Sequence, residues 1–254
     1  MQKNGYLDVK GQIELLRTKG IVVTNRDVEI LNKVNYYTIM SYKNIFYVDG
    51  ILHQYRKGIS LKDFYTVYLL DNEIKNLLLK KFKILTNKFS VNLISKFCEH
   101  YGYLEDAYLS DDLYNNMFVK DYYISLLSDD TIKYYYDEHG FIPLWILINN
   151  MSFSDLIKYI LSFKTNIKRQ FELNFREEIL LYSIDVYATI FSNVKTYDFN
   201  KNGMKLNDLI IWFESFNIDV NDIKNKYVEI VNNINCLNND DIKRVSGIEL
   251  GGVN

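Results

Sequence analysis

A single proline, Pro143, in 254 residues is the strongest constraint on what this chain can fold into. Proline interrupts helices and is confined to edges and bulges in sheets. An all-β chain of this length carries turn residues at short intervals. With one proline and 11 glycines the chain lacks that punctuation and reads as helices joined by short polar loops. The 48% hydrophobic and 24% charged residues are enough to bury a core, which sets aside disordered and collagen-like classes. The 22 tyrosines accompany many Lys, Asn and Ile, the usage of an AT-rich genome, so each carries little information singly.

Helix boundaries can be read locally. Asp8 caps a first helix that stops at Gly20. Thr24 with Asp27, and Ser60 with Asp63, form capping boxes. After Ser60, Leu61, Phe64, Tyr65 and Tyr68 share a helical face, and the pattern continues through Ile74, Leu78, Phe82, Leu85 and Phe89. Further helices are expected over Asp111–Leu127, after Pro143, and from Ser152 to about Phe163. Another is expected over Phe171–Val194, with Leu180, Ile184, Tyr187 and Phe191 as its buried stripe, and two or three more up to Val245. The reading is all-α, a multi-helix bundle. It forms a single domain over 1–254, with an N-terminal helical subregion to about 59 and a frayed tail from about 247.

The formal net charge of −2 gives no global attraction to nucleic acid or to an anionic membrane. Local charge is uneven. From Ile74 to Cys98 there are six lysines (75, 80, 81, 83, 88 and 96) and no carboxylate; from Leu104 to Asp130 there are seven carboxylates and one lysine. Two solvated faces that attract each other explain this, as does a lysine face that tracks phosphates.

Catalytic signatures are absent: no Gly-rich phosphate loop, no GxSxG, no HExxH. His53, His100 and His139 are scattered, and Cys98 with His100 lacks the second pair a zinc site needs, so no metal and no cofactor is expected. Cys98 and Cys236 read as reduced thiols of a cytoplasmic protein. The charged N-terminus is unlike a signal peptide, and the longest uncharged run, Phe141–Ser154, is too short to cross a bilayer. No membrane partner is expected. The Tyr36-Tyr37, Tyr122-Tyr123 and Tyr134–Tyr136 groups suit packing more than base stacking.

The order of segments is more specific than any one motif. Gln12-Ile13-Glu14-Leu15-Leu16 leads to Lys19-Gly20, then Asn35-Tyr36-Tyr37 and Ser41-Tyr42, then Phe64-Tyr65-Thr66-Val67-Tyr68 with Asp71. Pro143-Leu144-Trp145 and Met151-Ser152-Phe153-Ser154 follow, with Ser154 where a glycine is usual. Over roughly residues 10–200 this succession resembles the abortive-infection (Abi-like, AbiD/AbiF type) phage-resistance family. The resemblance implies a HEPN-like helical scaffold, RNA as partner, a possible homodimer and a toxin–antitoxin setting. It also implies a metal-independent ribonuclease motif, R-x(4–6)-H, in which imidazole moves the proton and guanidinium holds the phosphate. At the matching helix Ala188 stands for the arginine and Asn193 for the histidine. No histidine follows Arg56, Arg169 or Arg176 at motif spacing, so no catalytic residue carries over.

Three readings follow: an RNA-binding defence protein without the standard cleavage site, a ribonuclease with an unaligned site, and a helical protein-interaction module. For the first, Lys80, Lys81, Lys83 and Lys88 are the expected phosphate contacts, with Lys168, Arg169 and Lys195 alongside.

Overall fold

The computed structural model describes residues 7–48, 54–102, 106–173, 175–191, 195–196 and 203–250. Thirteen α-helices occur among them, and the β-structure there consists of isolated bridge residues and no strand. The all-α reading therefore holds. The chain forms two compact units: Met1–Leu78 with Ser192–Ile211 and Asp219–Asn254, and Leu79–Phe191 with Trp212–Ile218.

In the first unit, α1 (Val9–Thr18) is capped by Asp8, which accepts from the Gly11 N–H at 2.8 Å, and the chain turns away at Gly20 with φ +78°. The Thr24/Asp27 box opens a 3₁₀ turn that runs into α2 (Val28–Lys33). Asn35 caps α3 (Tyr36–Met40), and a 3₁₀ segment, Ser41–Phe46, follows. An antiparallel bridge joins Tyr47 to Tyr55, and a parallel one joins Val22 to Ser60.

Ser60 and Asp63 then start α4 (Leu61–Tyr101), a helix of 41 residues. At 1.5 Å per residue it is about 60 Å long. Its first half buries Leu61, Phe64, Val67, Ile74 and Leu78. Phe46 lies 4.4 Å from Phe64, ring centre to ring centre. The unit is completed by the start of α11 (Leu206–Ser215), by α12 (Asn221–Asn233) and by α13 (Asn239–Ser246). α13 ends at Gly247 with φ +77°, where a Cβ would meet Lys205 at 3.1 Å. Ile248, inside the stretch read as a tail, is fully buried.

The second unit contains the rest of α4, with Phe82, Leu85, Phe89, Leu93 and Phe97 inward. It also holds α5 (Phe118–Leu126), α6 (Asp130–His139), α7 (Leu144–Asn149), α8 (Phe153–Ser162), α9 (Thr165–Gln170) and α10 (Glu177–Ile190). Pro143 precedes the first residue of α7, and the Ser152 hydroxyl caps α8 by accepting from the Asp155 N–H. α8 packs on α10 and on α5. Phe82 anchors this core, with Phe153, Phe213 and Tyr187 at 4.7, 5.2 and 5.4 Å.

Two expectations are corrected. The span Asp111–Leu127 holds a 3₁₀ turn at Asp111–Leu113 and only then α5. The helix expected over Phe171–Val194 is α10 alone, and its buried residues are Ile179, Leu180, Tyr182, Ser183, Val186 and Ile190. Phe191 is 70% exposed. α10 is apolar on most of its circumference, so periodicity alone does not select the inward face.

Candidate nucleic-acid interface

The basic run of α4 divides by helical geometry. At 100° per residue, Lys80 and Lys83 fall on one side and Lys81 on another. Lys80, Lys83 and Lys88 are exposed, and Lys81 is buried at 8% exposure. This removes Lys81 from the expected phosphate contacts. The Lys88 ammonium donates to the Phe216 carbonyl at 2.6 Å, which fixes its stem along the helix. Among the described residues, no ion pair joins Lys80, Lys83 or Lys88 to the acidic stretch; there, Lys120 pairs with Asp111 at 2.7 Å.

α9 meets the far end of the same helix. Tyr101 donates to Gln170 at 3.4 Å, His100 stacks on Phe171 with ring centres 5.7 Å apart, and Lys96 pairs with Glu172 at 3.2 Å. Glu172 holds φ at +58°. Its carboxylate keeps the Lys96 ammonium above the usual lysine range. Lys168 and Arg169 occupy the last turn of α9, the first half-buried and the second exposed. Lys80 to Arg169 is thus a basic series spread over α4 and α9, about 24 Å of it between Lys80 and Lys96. Lys195 belongs to the first unit and is half-buried. Ala188 is exposed on α10, and Asn193 lies outside the described residues.

The tyrosine pairs serve mostly as packing. Tyr36 is buried and Tyr122 donates to the Asn150 carbonyl at 2.6 Å, while Tyr37 and Tyr134 are exposed. Both cysteines are free and half-buried. Among the described residues no three His, Cys, Asp or Glu converge as metal ligands, and no helix is long and apolar enough to cross a membrane.

A site that residue-by-residue reading missed lies in the first unit. Asp71, on the inward face of α4, accepts from the Thr196 N–H at 2.8 Å, from the Thr196 hydroxyl and from the Tyr42 hydroxyl at 2.8 Å. Lys75, itself buried, stands 3.5 Å away, and the Tyr227 hydroxyl shares a hydrogen bond with Thr196 at 2.8 Å. Burial pushes the Asp71 carboxyl above the usual carboxylate range, while Thr196, Lys75 and Tyr42 pull it down. The network ties α4, α12, the Ser41–Phe46 segment and the 195–196 segment together. The available signal was a carboxylate at the centre of the apolar stripe Phe64–Val67–Ile74–Leu78.

The fold and this surface define a class: an all-helical protein with a carboxylate-free basic helix face and no metal-ligand cluster among its described residues. The chain belongs to the Abi-like protein family, whose model matches residues 29–217. No curated protein and no solved structure matches it. The matched span includes Asp71, α4 and α10 and stops short of α12 and α13.

Proposed function

We propose that this Abi-like protein is a phage-defence protein that binds RNA on a HEPN-like scaffold and does not cleave it by the Arg/His route. Lys80, Lys83 and Lys88 contact phosphates, and Lys168 and Arg169 extend the track at α9. The observation that carries the reading is that Lys80 and Lys83 are exposed with no ion pair to a carboxylate among the described residues, on a helix face with no acidic residue from Ile74 to Cys98. Phosphates are the counter-charge such a face takes up, and binding through it is salt-dependent. Ala188 offers no guanidinium and Asn193 no proton shuttle, so the resemblance supports binding better than cleavage. The direct test is co-purifying nucleic acid. The 260/280 nm absorbance ratio should fall after a high-salt wash; a protein-like ratio before the wash speaks against the reading.

A further inference from the structure

We infer that Glu172 is a built-in counter-charge on the basic series: it holds Lys96 where an RNA phosphate would otherwise bind, so that only RNA able to take Lys96 from it joins the α4 lysines to the cations of α9. The inference rests on the RNA reading above and names a residue that tunes it.

Glu172 occupies a position that favours another residue type. At the end of α9 the Phe171 N–H donates to the Ile167 carbonyl at 2.9 Å, and the Glu172 N–H to the Arg169 carbonyl at 3.1 Å. The Leu173 N–H reaches back to the Lys168 carbonyl at 2.8 Å. Such a closing turn needs one left-handed residue, and glycine is its usual occupant. Glu172 takes φ +58° there; among the described residues the one other non-glycine with positive φ is Asn217. Asparagine tolerates that region through local hydrogen bonds of its short side chain, which glutamate lacks. Leu173 is 5% exposed, so its packing accounts for the turn. It does not account for a glutamate, whose side chain is 71% exposed.

What that side chain does hold is Lys96, at 3.2 Å. Lys96 is the last lysine of α4, about 12 Å beyond Lys88 along the helix. Glu99, one turn further on α4, stands 3.7 Å from the same ammonium. Lys168 and Arg169 lie in the last turn of α9, and their carbonyls close the turn that carries Glu172. Glu172 therefore sits between the two stretches of the series, with its charge on the lysine that links them. Carboxylate and phosphate compete for an ammonium through the same charge-assisted hydrogen bond. An exposed pair is weak enough to exchange. The carboxylate thus raises the threshold for binding without blocking it.

The test is salt-dependent binding of a labelled, unstructured single-stranded RNA to the full chain and to three variants: Glu172→Gln, Glu99→Gln and Glu172→Gln/Lys96→Gln. Glutamine keeps the shape and removes the charge, and the circular dichroism spectra should coincide. Glu172→Gln should tighten binding at low salt by up to about fivefold, the upper end for an exposed pair. It should steepen the log–log salt slope by about 0.7, one added phosphate contact. Adding Lys96→Gln should cancel both changes. Glu99→Gln removes the same charge from the α4 side alone, so it should tighten binding less and leave the slope where it is. Equal gains from Glu172→Gln and Glu99→Gln reduce the effect to net charge and overturn the inference, as does a gain that survives Lys96→Gln. A parent protein that binds RNA through Lys80 and Lys83, with Glu172→Gln identical to it in affinity and slope, overturns the counter-charge and leaves the RNA reading standing. No binding by the parent or any variant at low salt overturns both.

Discussion

The Asp71 carboxylate accepts both the backbone N–H and the hydroxyl of Thr196, a residue 125 positions further along the chain. That contact fixes the chain directly after the segment that carries Asn193. Removing one member of a buried, charged network leaves the others unpaired, at a cost of about 3–5 kcal/mol. Asp71→Ala should lose that much in urea unfolding, and Thr196→Val about 1–3 kcal/mol. Losses under 1 kcal/mol for both would show that the network is dispensable.

The same carboxyl sets a pH dependence. Burial raises it above its ordinary value, so the folded state holds its proton more tightly than the unfolded chain does. The stability due to that proton is complete below the ordinary carboxylate value of about 4 and is lost as pH rises through the folded value. The unfolding free energy of the parent protein minus that of Asp71→Asn should therefore fall as pH rises from about 4. A difference that stays flat or rises contradicts the assignment.

A second tether lies in the same unit. Arg56 donates to both oxygens of Asp241, which is 3% exposed, and to the Cys236 carbonyl at 2.7 Å. Asp241 also closes the Asn238 capping box of α13. Arg56→Ala should cost about 3–5 kcal/mol. Arg56→Lys should recover little, because an ammonium cannot make the forked contact. Full recovery by lysine would reduce the interaction to its charge.

Phe191 and Phe82 separate the sequence pattern from the packing. Phe82 is fully buried among Phe153, Tyr187 and Phe213, so Phe82→Ala should cost about 3–5 kcal/mol. Phe191, exposed beyond the end of α10, should change stability by no more than about 0.5 kcal/mol on replacement by alanine. Thermal melts of the two variants check both, and equal losses would restore the stripe expected from periodicity.

These cases show where sequence was sufficient. The caps at Asp8, Ser60/Asp63 and Ser152/Asp155 were legible because each depends on residues three positions apart. The all-α class followed from the missing turn residues. The inward face of α10 was not legible, because Leu181, Ile184 and Phe191 are as apolar as the residues that are buried. Asp71 was visible only as part of a family pattern, since its partners Thr196 and Tyr227 come from distant segments. The basic run over-counted its own surface: four lysines within nine residues cannot share one face, and Lys81 turns inward.

Fluorescence anisotropy of a labelled single-stranded RNA, titrated with the full chain from low to high salt, tests the RNA reading most directly. The parent protein should bind with a log–log salt slope of about −0.7 per phosphate contact. Lys80→Glu/Lys83→Glu should weaken binding and flatten the slope by about 1.4. Affinity and slope that are identical in the parent and the variant, or no binding by the parent at low salt, would contradict RNA recognition by the α4 face.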